Sequence, residues 1–112
     1  MLLNAFSMNM VKEFPVTVTA TEITAAEART HLLALAEAEG SAELIDSAVG
    51  HADTAAVFSR ELGLPVPCNR ATVQLRAGDR VIVGQYSGPR LPEGATELPE
   101  GATIKWLAVS IT

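Results

Sequence analysis

The order of hydrophobic patterns along the 112 residues constrains the fold more than any other feature of this sequence. Residues 15–22 alternate apolar side chains with threonine, which predicts a half-buried β-strand. The apolar run at residues 2–7 predicts a short buried strand before it, and two helical patterns follow before strand patterns return. The sequence therefore predicts an α+β (mixed α/β) fold. We expect a single small domain over residues 1–112, with a mixed β-sheet of about five strands flanked by helices.

Both predicted helices have recognisable ends. Residues 24–39 are predicted to form the first helix, because Thr24-Ala25-Ala26-Glu27 has the spacing of a capping box and a glycine follows the last periodic residue. The second helix is predicted to begin with Asp53 as its N-cap and to end at Gly63. Residues 42–49, between the helices, fit either a helical turn or a short strand, and both alternatives stay open.

Strand patterns return in the second half of the chain. Residues 72–76 and 80–86 alternate around a glycine-containing turn and predict a hairpin, and residues 103–111 predict a last strand. The hexapeptide Leu-Pro-Glu-Gly-Ala-Thr occurs at residues 91–96 and again at 98–103. Two copies so close together between strands predict turns rather than a repeat architecture.

The charges of the chain are unevenly distributed. The formal net charge of −5 argues against a general binder of DNA or other nucleic acids, whose affinity would come from a surplus of Lys and Arg. Residues 1–59 carry two cations against eight acids, whereas residues 60–112 carry six cations, five of them arginines, against five acids. Because arginine suits bidentate phosphate recognition, the second half is better suited to a small anion held at a few points.

Cysteine and hydropathy patterns narrow the class of protein further. The single cysteine, Cys68, cannot form an intramolecular disulfide, and no cluster of His, Cys or acidic residues has metal-ligand spacing. The sequence thus predicts neither a metal site nor a cofactor.

No basic leader and no apolar segment of roughly 18 residues is present, so we expect a cytoplasmic protein without a membrane partner. A domain this small often gains stability by pairing with a second copy, which makes a homodimer an expectation.

One histidine stands directly before a predicted helix start, in Val49-Gly50-His51-Ala52-Asp53-Thr54. The unpaired N–H groups and the dipole of a helix N-terminus favour an anion such as phosphate. A phosphate bound there would favour a protonated imidazole, and His51 could then donate its proton to a leaving oxygen. The simpler alternative, that His51 satisfies a hydrogen bond in a loop, stays open. The other histidine, His31, is expected to face solvent from the first helix.

Further polar candidates lie at predicted strand ends and turns. They are Asn4, Ser7, Asn9, Arg70, Gln85, Arg90 and Glu93. The first three follow an apolar segment, where amide and hydroxyl groups can hold a sugar or phosphate, although a polar strand exit with local turn hydrogen bonds fits equally well. Of the remaining residues, Arg70, Arg90 and the amide of Gln85 can converge on one anion, although each of them alone is better explained as an ordinary surface residue.

Phosphodiester cleavage by this chain would need a route that does not depend on two metals. No pair of acids is spaced for two-metal phosphoryl transfer. The remaining route is attack by the substrate's own 2′-hydroxyl, aligned by the protein, and that route requires an RNA-type ligand.

Four polar blocks occur in order over nearly the whole chain. They are Asn4-Ala5-Phe6-Ser7-Met8-Asn9-Met10, Gly50-His51 followed by Thr54-Ala55, Asn69-Arg70, and Gln85 through Arg90-Leu91-Pro92-Glu93-Gly94. In order and spacing these blocks resemble the viral anti-CRISPR ring nucleases that act against type III systems, and their host-encoded relatives. Four ordered blocks are a far more specific signal than any one of them alone.

The resemblance implies a two-fold symmetric homodimer that binds cyclic tetra-adenylate, the second messenger of type III CRISPR defence, across its interface. Such enzymes turn off or evade that defence without a metal: the 2′-hydroxyl attacks the adjacent phosphate in line, and the linear products end in a 2′,3′-cyclic phosphate. By this resemblance His51 is the general acid. The implied substrate-binding residues are Ser7 and Asn9 for ribose and phosphate, Arg70 and Arg90 for the phosphates, and Gln85, Glu93 and Asn4 for the rest of the pocket.

A non-catalytic protein that binds or sequesters a cyclic nucleotide is the alternative function. The same pocket would serve it. The histidine favours the enzyme, because a protein that only sequesters its ligand has no need of an acid at that place.

Overall fold

The structure, a computed structural model, describes residues 1–38 and 46–112. Its elements are strand β1 (Leu2–Leu3), a 3₁₀ turn (Met8–Met10), strand β2 (Val18–Ile23), helix α1 (Ala25–Ala38), helix α2 (Ala52–Leu62), strand β3 (Arg80–Ser87) and strand β4 (Thr103–Ile111). The predicted α+β fold class is confirmed, and the predicted last strand coincides with β4.

The strands form one mixed sheet in the order β1-β3-β4-β2. β1 pairs with β3 in parallel, whereas β3 with β4 and β4 with β2 pair antiparallel. Residues 46–50 run along the free side of β1, where the Leu2 N–H donates to the Asp46 carbonyl at 2.8 Å and the Ala48 N–H donates to the Leu2 carbonyl at 2.9 Å. This segment carries the chain to the carboxyl end of β1, where α2 begins.

Both helices pack on one face of the sheet. Their buried side chains recur about one turn apart, as expected of an amphipathic helix: Ala28, Leu32 and Ala36 on α1, and Ala55, Phe58 and Leu62 on α2. These residues share one core cluster with Leu2, Ile82 and Trp106 of the sheet. Burial of each large apolar side chain contributes about 1.5–3 kcal/mol, which holds the N-terminus of α2 in place. Of the helices in the described chain, none is long and apolar enough to cross a membrane.

A glycine of β3 makes room for an aromatic pair under α2. The rings of Phe58 and Trp106 are inclined by 60° with their centroids 5.0 Å apart. A Cβ on Gly84 would lie 2.7 Å from Phe58 Cζ and 2.7 Å from Trp106 Cζ3. The absence of a side chain at this position therefore lets both rings approach the sheet.

The opposite face of the sheet is packed by irregular chain. Seven residues are buried there in a second core cluster: Leu3, Val11, Leu75, Val81, Val83, Val109 and Ile111. Two of them come from loops that are tied together, because the Lys12 N–H donates to the Leu75 carbonyl at 3.2 Å and the Leu75 N–H donates to the Met10 carbonyl at 2.7 Å. This covering links the chain after β1 to the chain before β3.

The hairpin predicted between residues 72–76 and 80–86 is wrong. β3 pairs with β4 along its whole length, and on its other side Ile82 and Val83 pair with β1, so residues 72–76 are not a neighbour of β3 in the sheet. That segment contributes only an isolated bridge from Leu75 to Val11. The described sheet consequently has four strands rather than about five.

Helix α2 starts earlier than predicted. Its N-cap is His51, with extended backbone at φ −125° and ψ 131°, and the Ala55 N–H donates to the His51 carbonyl at 3.0 Å. Asp53 is therefore a residue of the first turn rather than the cap. The predicted end is confirmed, because Gly63 closes the helix in the left-handed conformation at φ 67°.

Two other predictions are confirmed only in part. The predicted strand at residues 2–7 is shortened to β1, because the chain turns into the 3₁₀ turn soon afterwards. In the ambiguous segment 42–49, residues 46–49 are extended, with bridges from Ser47 to Leu2 and from Val49 to Cys68. Residues 42–45, and the predicted end of the first helix at residues 39–40, lie outside the described residues.

The capping box predicted for α1 is present. The Thr24 N–H donates to Glu27 Oε1 at 3.0 Å, and the Glu27 N–H donates to Thr24 Oγ1 at 3.1 Å. Hydrogen bonds to the Glu27 carboxylate lower the pKa of this group below its ordinary value of 4.5. The bond from the Thr24 backbone N–H has the larger effect, and the interaction with the Thr24 side chain has the smaller one. His31, one turn further along, is exposed as predicted.

Candidate functional site

Most of the predicted site residues gather at one edge of the sheet. Because β1 and β3 run in the same direction, Asn4 after β1 and the chain after β3 lie at the same edge. Residues 46–50, beside β1, bring the start of α2 to that edge as well. The carboxyl ends of parallel strands are common ligand sites in open sheets, which makes this edge a candidate ligand site.

His51 lies at the centre of this edge. As the N-cap of α2 it precedes the unpaired N–H groups of the first turn, and its imidazole makes no capping hydrogen bond. Its side chain is exposed and lines two adjoining cavities. Among the described residues, 1–38 and 46–112, no hydrogen bond of the His51 side chain is found that would support its alternative role in a loop.

The first of these cavities, here the Arg70 cavity, has a volume of about 600 Å³. Asn4, Gly50, His51 and Arg70 are among its lining residues. Arg70 Nε donates to the Gly50 carbonyl at 2.9 Å, and a Cβ on Gly50 would lie 3.2 Å from Arg70 Cγ. The guanidinium is therefore held across the residue that precedes His51.

The segment that carries Arg70 is anchored by its neighbour. The Asn69 side-chain amide donates to the Ser47 carbonyl at 2.9 Å, and the Asn69 N–H donates to the Val49 carbonyl at 2.8 Å. The sequence grouped Asn69 with Arg70, and the structure shows that the asparagine has a structural part in that pair. Its hydrogen bonds fix Arg70 relative to the chain that leads into α2.

The second cavity, here the Arg90 cavity, has a volume of about 710 Å³. Its lining residues are His51, Asp53, Thr54, Tyr86, Arg90, Leu91, Pro92 and Glu93. The Tyr86 hydroxyl donates to the Pro89 carbonyl, and Asp53 Oδ1 accepts a hydrogen bond from the Gly94 N–H at 3.0 Å. These contacts hold the segment that contains Arg90 and Glu93 against β3 and α2.

The third cavity, here the Lys105 cavity, has a volume of about 560 Å³. Asn4, Gln85 and Lys105 are among its lining residues, and Gln85 lies opposite Lys105 in the β3–β4 register. Asn4 also lines the Arg70 cavity, and Tyr86 lines both this cavity and the Arg90 cavity. Shared residues therefore join all three cavities into one surface, here the site surface.

The site surface collects most of the residues singled out from the sequence. Those that line it are Asn4, His51, Arg70, Gln85, Arg90 and Glu93. Ser7 and Asn9 line none of its three cavities: both are exposed, and Ser7 Oγ accepts a hydrogen bond from the Asn9 N–H at 3.2 Å as the N-cap of the 3₁₀ turn. Within the described chain these two residues make the local turn that the sequence left open as their alternative.

The site surface also contains polar and charged residues that were not identified as site residues from the sequence, and four of them matter for its chemistry. They are Asp53, Thr54, Tyr86 and Lys105. Asp53 was assigned to capping, and Thr54 was noted only as part of a family block. Tyr86 and Lys105 lie near the ends of β3 and β4. A prediction that β3 pairs with β4 would have brought both residues to this edge of the sheet, but the sequence analysis paired residues 80–86 with residues 72–76 instead.

The charges of the site surface suit an anion whose negative charges lie at several separate points. Three cations, Arg70, Arg90 and Lys105, lie on it with the carboxylates of Asp53 and Glu93. In the part of the chain that the structure describes, the ion pair found is Arg60 with Glu97, so these cations are not neutralised by direct pairing. Residues 1–38 and 46–112 also contain no group of three His, Cys, Asp or Glu side chains that could hold a metal ion.

The fold and the site together define a class of protein, a small α+β domain with a cation-bearing surface at the carboxyl edge of a parallel strand pair. A model of the STIV B116-like family matches residues 1–105, and the chain belongs to that family. Among solved structures, the chain is similar to B116 of Sulfolobus turreted icosahedral virus, with a TM-score of 0.78 and 30% sequence identity over 97% of this chain and 96% of the viral protein. No curated protein matches.

These similarities confirm part of what the sequence suggested. The resemblance to a viral protein family is confirmed at that level, because both the family and the solved structure carry the name of a viral protein. Neither name states an activity or a ligand. The ring-nuclease expectation therefore rests on the site itself.

Proposed function

We propose that this protein is a metal-independent ring nuclease that binds cyclic tetra-adenylate and cleaves it to linear adenylates with 2′,3′-cyclic phosphate ends. One observation supports it above the others: His51 lies at a helix N-terminus where two cavities meet, one bearing Arg70 and the other Arg90. Ligand pockets of small molecules span about 300–1,000 Å³, and each cavity falls in that range. An acid flanked by two cations suits phosphodiester cleavage, because the acid can protonate the leaving oxygen and the cations can stabilise the charge on the phosphate.

The proposed chemistry takes its nucleophile from the ligand. The 2′-hydroxyl gives up its proton to solvent as its oxygen forms a bond to the adjacent phosphorus. The bond from phosphorus to the 5′-oxygen breaks at the same time, and the imidazolium of His51 gives its proton to the departing 5′-oxygen and regains one from solvent. Arg70 and Arg90 stabilise the charge that develops on the phosphate. Alignment of the 2′-oxygen, the phosphorus and the leaving oxygen supplies much of the rate, since positioning alone can lower a barrier by several kcal/mol.

A two-fold homodimer is part of the proposal. A cyclic tetranucleotide has a two-fold axis of its own, and an isologous dimer presents the same groups to opposite phosphates. One ring would then meet two copies of His51. Such a dimer also gives Ser7 and Asn9 a route to the ligand, because residues outside the site surface of one chain can face the ring from the other.

The proposed role is to turn off or evade type III CRISPR defence by removing its second messenger in the cytoplasm of the cell. The viral name of the family and of its solved member fits the evading role. Removal of a cyclic messenger needs no other partner, and the chain carries the candidate acid and cations for it in one place.

A non-catalytic binder of the same cyclic nucleotide is the second candidate. The open site surface and its cations serve binding alone as well as cleavage, and only the position of His51 favours the enzyme. The two candidates differ in one measurable quantity, which is the turnover of bound ligand.

The test incubates the purified protein with labelled cyclic tetra-adenylate in excess EDTA. We expect linear products with 2′,3′-cyclic phosphate ends. Tight binding with an intact ring after prolonged incubation would identify the non-catalytic binder. Absence of both binding and cleavage would refute the assignment of this ligand.

A further inference from the structure

Asp53 makes a long-range contact that no part of the proposed chemistry uses. It is the second residue of α2, and its Oδ1 accepts a hydrogen bond from the backbone N–H of Gly94, which is 41 positions away in sequence. Asp53 is only partly exposed and lines the Arg90 cavity together with His51. The contact thus joins the helix turn that follows His51 to the opposite wall of the same cavity.

The partner of Asp53 belongs to a well-defined turn. The Ala95 N–H donates to the Pro92 carbonyl at 3.0 Å, and Gly94 has a φ of 78°, as the third residue of a type II turn requires. Glu93 is the residue between Pro92 and Gly94. Fixing the Gly94 N–H therefore fixes the position of Glu93, and it restrains Arg90 just before the turn.

Two other contacts reach the same stretch of chain. The Tyr86 hydroxyl donates to the Pro89 carbonyl before the turn. The ion pair of Arg60 with Glu97 lies after the turn at 3.3 Å, with both side chains more than half exposed, so solvent weakens it. Within the described residues, the side-chain hydrogen bond that reaches the turn itself is that of Asp53.

We propose that Asp53 is a positioning residue: its Oδ1 holds the turn at Gly94 and so sets Arg90 and Glu93 against His51. The acceptor oxygen does this work rather than the negative charge. A carboxylate in the Arg90 cavity repels a phosphate, so the charge itself opposes binding of an anionic ligand. Asparagine retains an Oδ1 acceptor of the same length, which separates the two properties experimentally.

The first test measures hydrogen exchange of the backbone amides and needs no ligand. We expect Asp53→Ala to speed exchange at residues 92–97 by about tenfold, since loss of one hydrogen bond of this kind is worth about that factor. Asp53→Asn should leave exchange there close to that of the unaltered protein. Asp79→Ala is the matched control, because Asp79 Oδ2 accepts from the Arg76 N–H at 2.9 Å in a turn at the opposite end of β3.

The second test measures cleavage kinetics and rests on the proposed function. We expect Asp53→Ala to raise KM for cyclic tetra-adenylate about tenfold and to lower kcat as well, because the displaced Arg90 loses its contact with the phosphate in the bound ring and in the transition state. Asp53→Asn should restore KM. A merely structural defect would instead lower the active fraction, and so the apparent kcat, at unchanged KM.

The outcomes separate this proposal from the ring-nuclease assignment. Unchanged exchange at residues 92–97 in Asp53→Ala, or equal defects in Asp53→Ala and Asp53→Asn, would overturn the positioning role even if cleavage is observed. Faster exchange confined to that segment would support it even if the protein cleaves nothing. Should Asp53→Ala not fold, Asp53→Ser, whose side chain is too short to reach Gly94, carries the same expectations.

Discussion

The two histidines of this chain differ in their surroundings. His51 lies between Arg70 and Arg90 on the site surface, whereas His31 is exposed on α1 and lines a separate cavity with Arg80. The family blocks in the sequence were enough to single out His51. The cavities that make it a candidate acid depend on chain segments far apart in sequence, and no local pattern could show them.

His51→Ala is expected to bind cyclic tetra-adenylate with nearly unchanged affinity and to lose most turnover. Removal of a general acid costs about 10²- to 10⁴-fold in rate. Single-turnover cleavage and equilibrium binding, both in EDTA, measure the two effects. His31→Ala is the control and should behave as the unaltered protein, and full turnover in His51→Ala would contradict the assigned role.

Arg90→Ala is expected to weaken binding of the ring by about 10- to 100-fold, the usual worth of a hydrogen bond to a charged group. Arg76→Ala, an exposed arginine in the turn before β3, is the control for loss of one positive charge. Equilibrium binding at two salt concentrations measures both variants. Equal losses in the two would mean that the net charge matters and the position of Arg90 does not.

At the scale of elements, β3 is the strand whose neighbours the sequence did not identify. Its alternating pattern was recognised, but the pattern alone does not say which strand lies beside it. Residues 72–76 are nearer in sequence than β4, yet β4 offers a long antiparallel partner and β1 takes the other side. The packing of both sheet faces decides which strand pairs with β3, and that packing involves residues from distant parts of the chain.

Gly84→Ala is expected to lower the free energy of unfolding by about 1–3 kcal/mol, because the added methyl group overlaps Phe58 and Trp106. Chemical denaturation followed by Trp106 fluorescence measures the change. Gln85→Ala, the next residue of β3 but exposed, should stay within about 0.5 kcal/mol. Equal stability of Gly84→Ala and the unaltered protein would contradict the close packing of the rings.

The capping box of α1 should make stability depend on pH. Because the pKa of Glu27 is lowered in the folded protein, its contribution is present above the unfolded value and is lost as the pH falls through the folded value. Glu27→Gln is therefore expected to be less stable than the unaltered protein above pH 4.5, with the difference shrinking below it. Thermal unfolding across pH 3 to 7, with the exposed Glu22→Gln as control, tests this; a difference independent of pH would contradict it.

At the scale of the whole molecule, the proposed dimer fixes a stoichiometry. We expect a particle of twice the 11.8 kDa chain mass by light scattering, binding one ring per two chains by calorimetry. His51→Ala should show the same mass and stoichiometry, so that binding is measured without cleavage. A single chain that binds one ring would contradict the two-fold arrangement.

The sequence by itself determined what depends on near neighbours along the chain. The capping box at Thr24, the helix end at Gly63 and the bounds of β4 follow from local hydrogen bonds and side-chain periodicity, which short segments encode. The ordered polar blocks likewise pointed to a viral protein family, which the comparisons confirm at that level. Only the tertiary structure decided the partners of β3, the bond from Asp53 to Gly94 and the junction of cavities at His51. Those contacts join distant residues, and their geometry depends on how both faces of the sheet pack.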